Sequence, residues 1–388
     1  MRAIRRKYIF INIVISVAEF LVDTYATIYM LNKGASYTQI GIIWMIYLAA
    51  TAFTDYPTGG FADRYGRRKM YALGVVLTSV SYFLMLSDYI YILYVSYAIK
   101  GIGTSFISGS LMAWLSAAID NNDEFNEVIS KNNLSCNVVS FILPFCILIM
   151  KNIDLDAVFA VCGILELGVG IYTIVGLKEN YGAQEKIKNI YKESTYYFFH
   201  NKILILLTLV NVSLYLFYTI FYYIWQPTAI LVIGELKYLP LFYGVFNLFM
   251  GISAYAFNLL KRTRKYVAIL CVMSIYFCSF LTFYLAARYG LFIFLVVGMT
   301  FFGIGGGVVF MLINGAINEN TKDEYKASTY SLVSSICTLF NIAFQYIFGK
   351  IADVYGYNRL NSIGMIVAGI FTVLIIFYII SIKNNNLN

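Results

Sequence analysis

Four ionisable side chains stand where a hydrocarbon surrounding makes ions expensive. Glu19, Asp23, Lys100 and Glu166 each interrupt a long apolar run. An ionised group at a bilayer centre costs ~2.5–3.5 kcal/mol or more, so residues of this kind are kept for a reason. Glu19, Lys100 and Glu166 all lie roughly 10 residues into their runs, which is about 15 Å deep and near a midplane. Asp23 follows Glu19 by one helical turn, on the same face. Two chemistries fit. A carboxylate in such a place can exchange a proton for a substrate, because moving between two faces of a membrane changes its surroundings and couples protonation to access. Alternatively, Glu19 and Lys100 form a static buried pair that orients helices. Glu19, Asp23 and Glu166 are therefore candidate proton carriers, and Lys100 a candidate cavity residue. A hollow lined by all four is net acidic and favours cationic or zwitterionic substrates. Asp55, near the end of its run, is expected to support the loop that follows.

The second half of the chain has no comparable charge within its apolar runs. It carries Asn211, Asn247, Asn314, Asn341 and Gln345 instead. Asn211, Tyr215, Tyr218, Tyr222 and Trp225 recur at helical spacing and form one stripe. Asn211, Tyr215, Tyr218, Tyr222, Asn314 and Asn341 are candidate cavity residues. Aromatic faces suit flat or lipophilic molecules and cations. Ordinary packing or an interfacial belt is the competing account, since the chain holds 35 tyrosines. Gln226 and Pro227 are expected to mark the outer end or a kink of this helix.

The elements that position these residues follow from hydropathy. Of 388 residues 60% are hydrophobic and 12% charged, too few charges to cover a soluble surface. Apolar runs near 8–32, 38–60, 70–87, 89–119, 128–150, 156–177, 202–225, 239–260, 266–287, 291–318, 326–349 and 360–382 predict twelve transmembrane helices. Barrel strands are shorter and alternate. With the N-terminus placed in the cytoplasm, only Lys33, Lys151, Lys237, Arg288, Lys350 and Arg359 of the 28 Lys and Arg fall outside. Lys100 lies within a run, and all the others fall inside, so both termini are expected to be cytoplasmic. The apolar stretch after Arg2, Arg5, Arg6 and Lys7 is too long for a cleavable signal, and none is expected. The formal charge of +8 suits basic cytoplasmic loops, so no nucleic-acid partner is expected. Cys136, Cys146, Cys162, Cys271, Cys278 and Cys337 fall in apolar runs and read as helix-packing thiols. There is no zinc-type cluster, nucleophile set or phosphate loop, so neither a metal, a cofactor, direct ATP use nor enzyme activity is expected.

The two halves resemble each other. Phe61–Lys69 aligns with Phe257–Lys265, Gly101-Ile102-Gly103 with Gly303-Ile304-Gly305, and Asp123-Glu124-Phe125 with Asp323-Glu324-Tyr325. The near-constant offset, about half the chain, predicts two six-helix bundles in parallel duplication. These are residues 1–177 and 202–388, joined by a linker, 178–201. The linker reads either as an amphipathic helix on the cytoplasmic surface or as a solvated connection.

The loop after the second run reads Gly59-Gly60-Phe61-Ala62-Asp63-Arg64-Tyr65-Gly66-Arg67-Arg68-Lys69. It resembles the signature of the major facilitator superfamily, in which glycine, aspartate, a basic residue, glycine and two basic residues recur at this spacing. Gly59, Asp63, Arg64, Gly66, Arg68 and Lys69 fill every position. The resemblance implies a twelve-helix, all-α fold of two pseudo-symmetric bundles. It also implies that the cluster latches the halves in one state of the transport cycle. Asp120 is the candidate partner of Arg64. The competing account is that Arg67, Arg68 and Lys69 only obey the positive-inside rule. Lys100-Gly101-Ile102-Gly103, Ser108-Gly109-Ser110 and Ala113-Trp114-Leu115 resemble the fourth helix of bacterial drug and metabolite exporters, which usually place arginine at Lys100. Residues 135–146 depart from the glycine-rich fifth helix of drug antiporters.

The resemblance implies a bacterial cytoplasmic-membrane protein in contact with lipid. It would work as a monomer and export small amphipathic or cationic molecules against protons by alternating access. Uptake or facilitated movement of a nutrient or metabolite, and a receptor that no longer transports, remain as alternatives.

Overall fold

The computed structural model describes residues 2–108, 110–119, 122–150, 152–181, 196–260, 265–321 and 326–385. All regular structure among them is helical. Two compact units divide the chain at Ile187 and Lys188, ten residues beyond the expected end of the first bundle.

Unit 1 contains α1 (Arg2–Asn32), α2 (Tyr37–Tyr65), α3 (Arg67–Met85), α4 (Ile90–Ile107), α5 (Ser110–Ala118), α6 (Asn122–Leu148) and α7 (Leu155–Gly176). The run expected at 89–119 is split at Ser108 into α4 and α5. Ser36 starts α2 through a reciprocal capping box with Gln39, which satisfies two donors that the first turn leaves unpaired. Gly66 separates α2 from α3 with φ of 109°, a conformation that a β-carbon disfavours.

Unit 2 contains α8 (Lys202–Ile233), a 3₁₀ turn at Leu236–Tyr238, α9 (Leu239–Leu260), α10 (Lys265–Tyr289), α11 (Phe292–Glu319), α12 (Lys326–Tyr355) and α13 (Asn358–Asn385). The helix α8 runs through Pro227 to Ile233, so that proline lies inside the helix rather than at its end. Residues 182–195 of the linker lie outside the described residues, and 196–200 are helical.

The duplication read from the sequence is visible in the packing. In unit 1, α2 and α3 flank α4, α3 packs on α7, and α1 packs on α6 and α7. In unit 2, α9 and α10 flank α11, α10 packs on α13, and α8 packs on α12 and α13. One close approach repeats as well. A β-carbon on Gly101 of α4 would lie 2.5 Å from the Tyr47 carbonyl of α2, and one on Gly303 of α11 would lie 2.5 Å from the Phe246 carbonyl of α9. Small residues let two backbones meet where lipid supplies no hydrophobic drive between helices.

Among the described residues, nine helices are long and apolar enough to cross a membrane. Of the other three expected spans, α3 begins on Arg67-Arg68-Lys69, which lowers its hydropathy, and side chains at the ends of α9 and α13 lie outside the described set. Large apolar side chains such as Phe53, Ile149, Val175 and Leu206 are exposed, as expected of surfaces that face lipid.

Candidate functional site

In unit 1 the predicted charges come together around α1 and α4. Glu19 is exposed and Asp23 partly so. With Asn12 and Ser16 they make one polar stripe along α1. Cys136 of α6 lies beside Ser16 of this stripe. Lys100 is within electrostatic reach of Glu19, but the static ion pair offered as the alternative account is not formed among the described residues. The Nζ of Lys100 instead lies 5.8 Å from the Tyr47 ring centroid, 5.2 Å from Tyr82 and 5.5 Å from Tyr97. Those rings come from α2, α3 and α4. Tyr47 and Tyr97 are held edge-on to each other and to Trp44, at centroid distances of 5.3 to 6.4 Å, the arrangement that aromatic quadrupoles favour. A desolvated cation gains ~1–2 kcal/mol per ring. Three rings together are of the same order as the ~2.5–3.5 kcal/mol insertion cost of the ammonium. The rings therefore accommodate Lys100 without a carboxylate.

Hydroxyls lace α2 to α4 beside this cage. Thr51 donates to the Gly101 carbonyl at 3.2 Å, Thr58 donates to the Ser105 carbonyl at 3.0 Å, and the Thr54 and Ser105 hydroxyls are 2.7 Å apart. The Asp55 side chain lies beside Ser108, at the end of α4. Glu166 is 2% exposed and lies beside Thr78 of α3, whose hydroxyl donates to the Val75 carbonyl at 2.9 Å. Its Oε2 has no protein partner. The α7 face that bears it is turned inward against α3.

The signature residues at one end of unit 1 meet a partner that the sequence did not single out. Glu179, just past α7, accepts a hydrogen bond from the Arg68 backbone N–H at 2.8 Å, and its Oε2 lies 3.4 Å from Arg68 Nε. The carboxylate thus sits at the positive N-terminus of α3. Arg68 Nη1 donates in turn to the carbonyls of Ile174 and Leu177, at 3.1 and 3.0 Å, and Lys7 Nζ donates to the Gly176 carbonyl. Two cations therefore neutralise the carbonyl end of α7. Arg68 does more than obey a loop-charge rule. Arg67 Nη1 donates to Ala113 at 3.0 Å and Trp114 Nε1 donates to Lys178 at 2.7 Å, tying α5 to the same knot. Gly66 also leaves room for this carboxylate, since a β-carbon there would meet the Glu179 carboxyl at 2.4–2.8 Å and displace it. Lys69 is exposed. Arg64 is exposed as well and lies 5.6 Å from the Tyr65 ring. Its expected partner Asp120 lies outside the described residues, as does the Asp63 side chain; Gly59 falls within α2. At the opposite end, Lys33 Nζ bridges Asp88 at 2.7 Å and Asp156 at 3.1 Å, and Tyr29 donates to Asp156 at 2.6 Å.

Unit 2 is aromatic where unit 1 is charged. Of the stripe on α8, Asn211, Tyr215, Tyr218 and Tyr222 are half-buried. Trp225 departs from it: it is fully buried and stacked on Tyr243 at 5.6 Å. The Tyr218 ring meets Phe302 edge-on at 5.3 Å, and its hydroxyl fills the space that a β-carbon on Gly306 would take. Asn341 accepts a hydrogen bond from Thr219 at 2.8 Å, which ties α12 to α8. The Asn314 side chain lies outside the described residues.

Tyr97 could have been found from its spacing, one turn before Lys100 on the same helix. Tyr47, Tyr82 and Glu179 carry no such signal, because their partners are distant in sequence.

Comparison with known proteins agrees with this architecture. The family model described as Major Facilitator Superfamily matches residues 8–339. The uncharacterized MFS-type transporter YxaM of Bacillus subtilis (strain 168) is 24% identical over 379 residues, covering 93% of this chain and 92% of that protein. Among solved structures, the nucleoside transporter NupG (D323A mutant) superposes with a TM-score of 0.77 at 12% identity, covering 97% of this chain and 99% of NupG. A POT family transporter in complex with 5-aminolevulinic acid gives 0.71 at 14% identity, covering 96% and 95%. At these identities the two structures establish the fold alone. The family match over most of the chain, with the helical duplication it predicts, means that this chain belongs to the Major Facilitator Superfamily and is a multi-pass membrane transporter, not an enzyme.

Proposed function

We propose that this transporter exports small amphipathic or cationic molecules in exchange for protons, by alternating access. The observation that carries this reading is the polar stripe on α1. Glu19 and Asp23 lie one turn apart on an accessible face of unit 1, while Lys100 rests on tyrosine rings. Two carboxylates within a span can hold either protons or a cation, and the competition between them is what an antiporter needs. Glu166 is a third carboxylate in the same bundle. The half-buried tyrosines of α8 supply flat apolar faces for the lipophilic part of the cargo. In this reading Gly59, Asp63, Arg64, Gly66, Arg68 and Lys69 form the conformational latch, with Asp120. Twelve spans and cytoplasmic termini belong to the same proposal, supported by the loop-charge asymmetry of the sequence; a cytoplasmic-membrane location and a monomer belong to it through the family resemblance.

The test uses everted membrane vesicles energised by respiration, with a pH-sensitive dye. Addition of a lipophilic cation such as tetraphenylphosphonium should release protons from the vesicle lumen. Glu19→Gln should reduce that release by about tenfold or more, the scale expected when a group acting in the transport step is lost. Release that is unchanged in Glu19→Gln would remove the carrier assignment. A second reading is transport of a metabolite. It is favoured by the fold likeness to a nucleoside transporter and to a transporter holding 5-aminolevulinic acid. Accumulation of a nucleoside or amino acid by intact cells, with no dye response to cations, would select it.

A further inference from the structure

We propose that the ring cage of Tyr47, Tyr82 and Tyr97 is one of two alternative seats for the Lys100 ammonium. The other seat is the Glu19–Asp23 carboxylate pair, and the exchange between them ties proton uptake to the state of the cargo site. The inference rests on the proton-exchange reading and adds the residues that enforce it.

Three observations support it. The cage is built from three separate helices, each ring within 5.8 Å of Nζ, so its position is fixed by the packing of α2 and α3 around α4. Lys100 makes no ion pair among the described residues, although Glu19 lies within electrostatic reach. The side chain carrying the ammonium has four rotatable bonds, whereas Tyr47 and Tyr97 interlock edge-on with each other and with Trp44, and Tyr82 is buried. The cation is the movable part and the cage is the rigid one. Tyr97 gives a further sign that its face, not its hydroxyl, is in use: the ring is fully buried and its hydroxyl has no protein partner.

The two seats answer to charge. When Glu19 and Asp23 are ionised and empty, they attract the ammonium through low-dielectric surroundings. When they take up protons or a cationic substrate, that attraction disappears, and an ammonium without another seat would stand unpaired within the membrane. The rings provide that seat without competing for protons. Lys100 can then leave the carboxylates to the cargo and return when the cargo leaves. The groups facing this exchange are Glu19 and Asp23 from α1, Tyr47 from α2, Tyr71 and Tyr82 from α3, Cys136 from α6, and Cys162 and Glu166 from α7.

Two measurements on the full chain test it. In the first, lysines of the detergent-purified protein are reductively ¹³C-methylated, which keeps their charge, and the Lys100 signal is assigned with Lys100→Arg. Ring currents should shift that signal upfield in Glu19→Gln, where the carboxylate seat is weakened. The shift should vanish when Tyr82→Leu and Tyr97→Leu are added, and return with phenylalanine at both positions. A signal insensitive to Glu19→Gln, or one unaffected by leucine, overturns the two-seat assignment. The second measurement is tetraphenylphosphonium-induced proton release in everted vesicles. The double leucine variant should lose about tenfold, the population shift expected from removing two ring faces. The phenylalanine pair should restore release, and leucine should have no added effect in Lys100→Ala. An equal leucine effect with and without Lys100 would assign the rings to packing and overturn the proposal. Wild-type vesicles without proton release, together with the expected ring-current shifts, would overturn the exchange reading while leaving the two seats standing.

Discussion

The two units share one scaffold and differ in what they place on it. In both, the fourth helix is wedged between the second and third, and a β-carbon added to a glycine on it would meet a carbonyl of the second at the same distance. Unit 1 uses that frame to gather Glu19, Asp23, Lys100 and Glu166. Unit 2 uses it for Phe217, Phe221, Tyr276 and Phe302, interlocked in one aromatic core. The helix-packing code is thus carried by a few small residues, and the chemistry by positions that the packing leaves open. A duplicated fold can keep its architecture while one half handles charge and the other handles apolar surface.

The comparison breaks first at the shared contact. Gly101→Leu and Gly303→Leu should each destabilise the protein by ~3 kcal/mol, because a side chain must be forced into a backbone-to-backbone contact. Similar losses of Tm in detergent for the two variants would support structural equivalence of the halves. A loss at one position alone would deny it. The motif end should show a smaller effect. Glu179→Ala leaves Arg68 and the first turn of α3 without their carboxylate, at a cost of ~2 kcal/mol. Arg68→Ala should cost about as much, and the double variant less than the sum, since both act in one pair. Strict additivity in thermal unfolding would show that the two act independently. The smallest effect belongs to unit 2. Gly306→Ala should cost ~1 kcal/mol by crowding the Tyr218 hydroxyl, and Tyr218→Phe should recover most of it. No recovery in the double variant would mean that α8 and α11 lie differently from this packing.

Much of the fold was legible in the chain itself. The helices and the duplication rest on hydropathy and repeated glycines, which are local or periodic properties. The stripe on α8 was legible as far as Tyr222, because helical spacing fixes which residues share a face. Trp225 then left it, because its neighbour Tyr243 comes from α9 and no spacing on α8 reports that. The alternative static Glu19–Lys100 pair is absent for a similar reason. Opposite charges at one depth invite pairing, yet three rings from three helices offered the ammonium a competing site.

The sequence by itself determined that hydrocarbon surrounds most of this protein, that it holds two related bundles, and that a few ions lie deep within one of them. These follow from composition and period, which any fold of this chain must respect. Only the tertiary structure decided the partners. Lys100 went to the tyrosines, and Arg68 to Glu179 and the carbonyl end of α7. Electrostatic and aromatic contacts act over a few ångströms in space, whatever the distance along the chain, so only packing could choose among them.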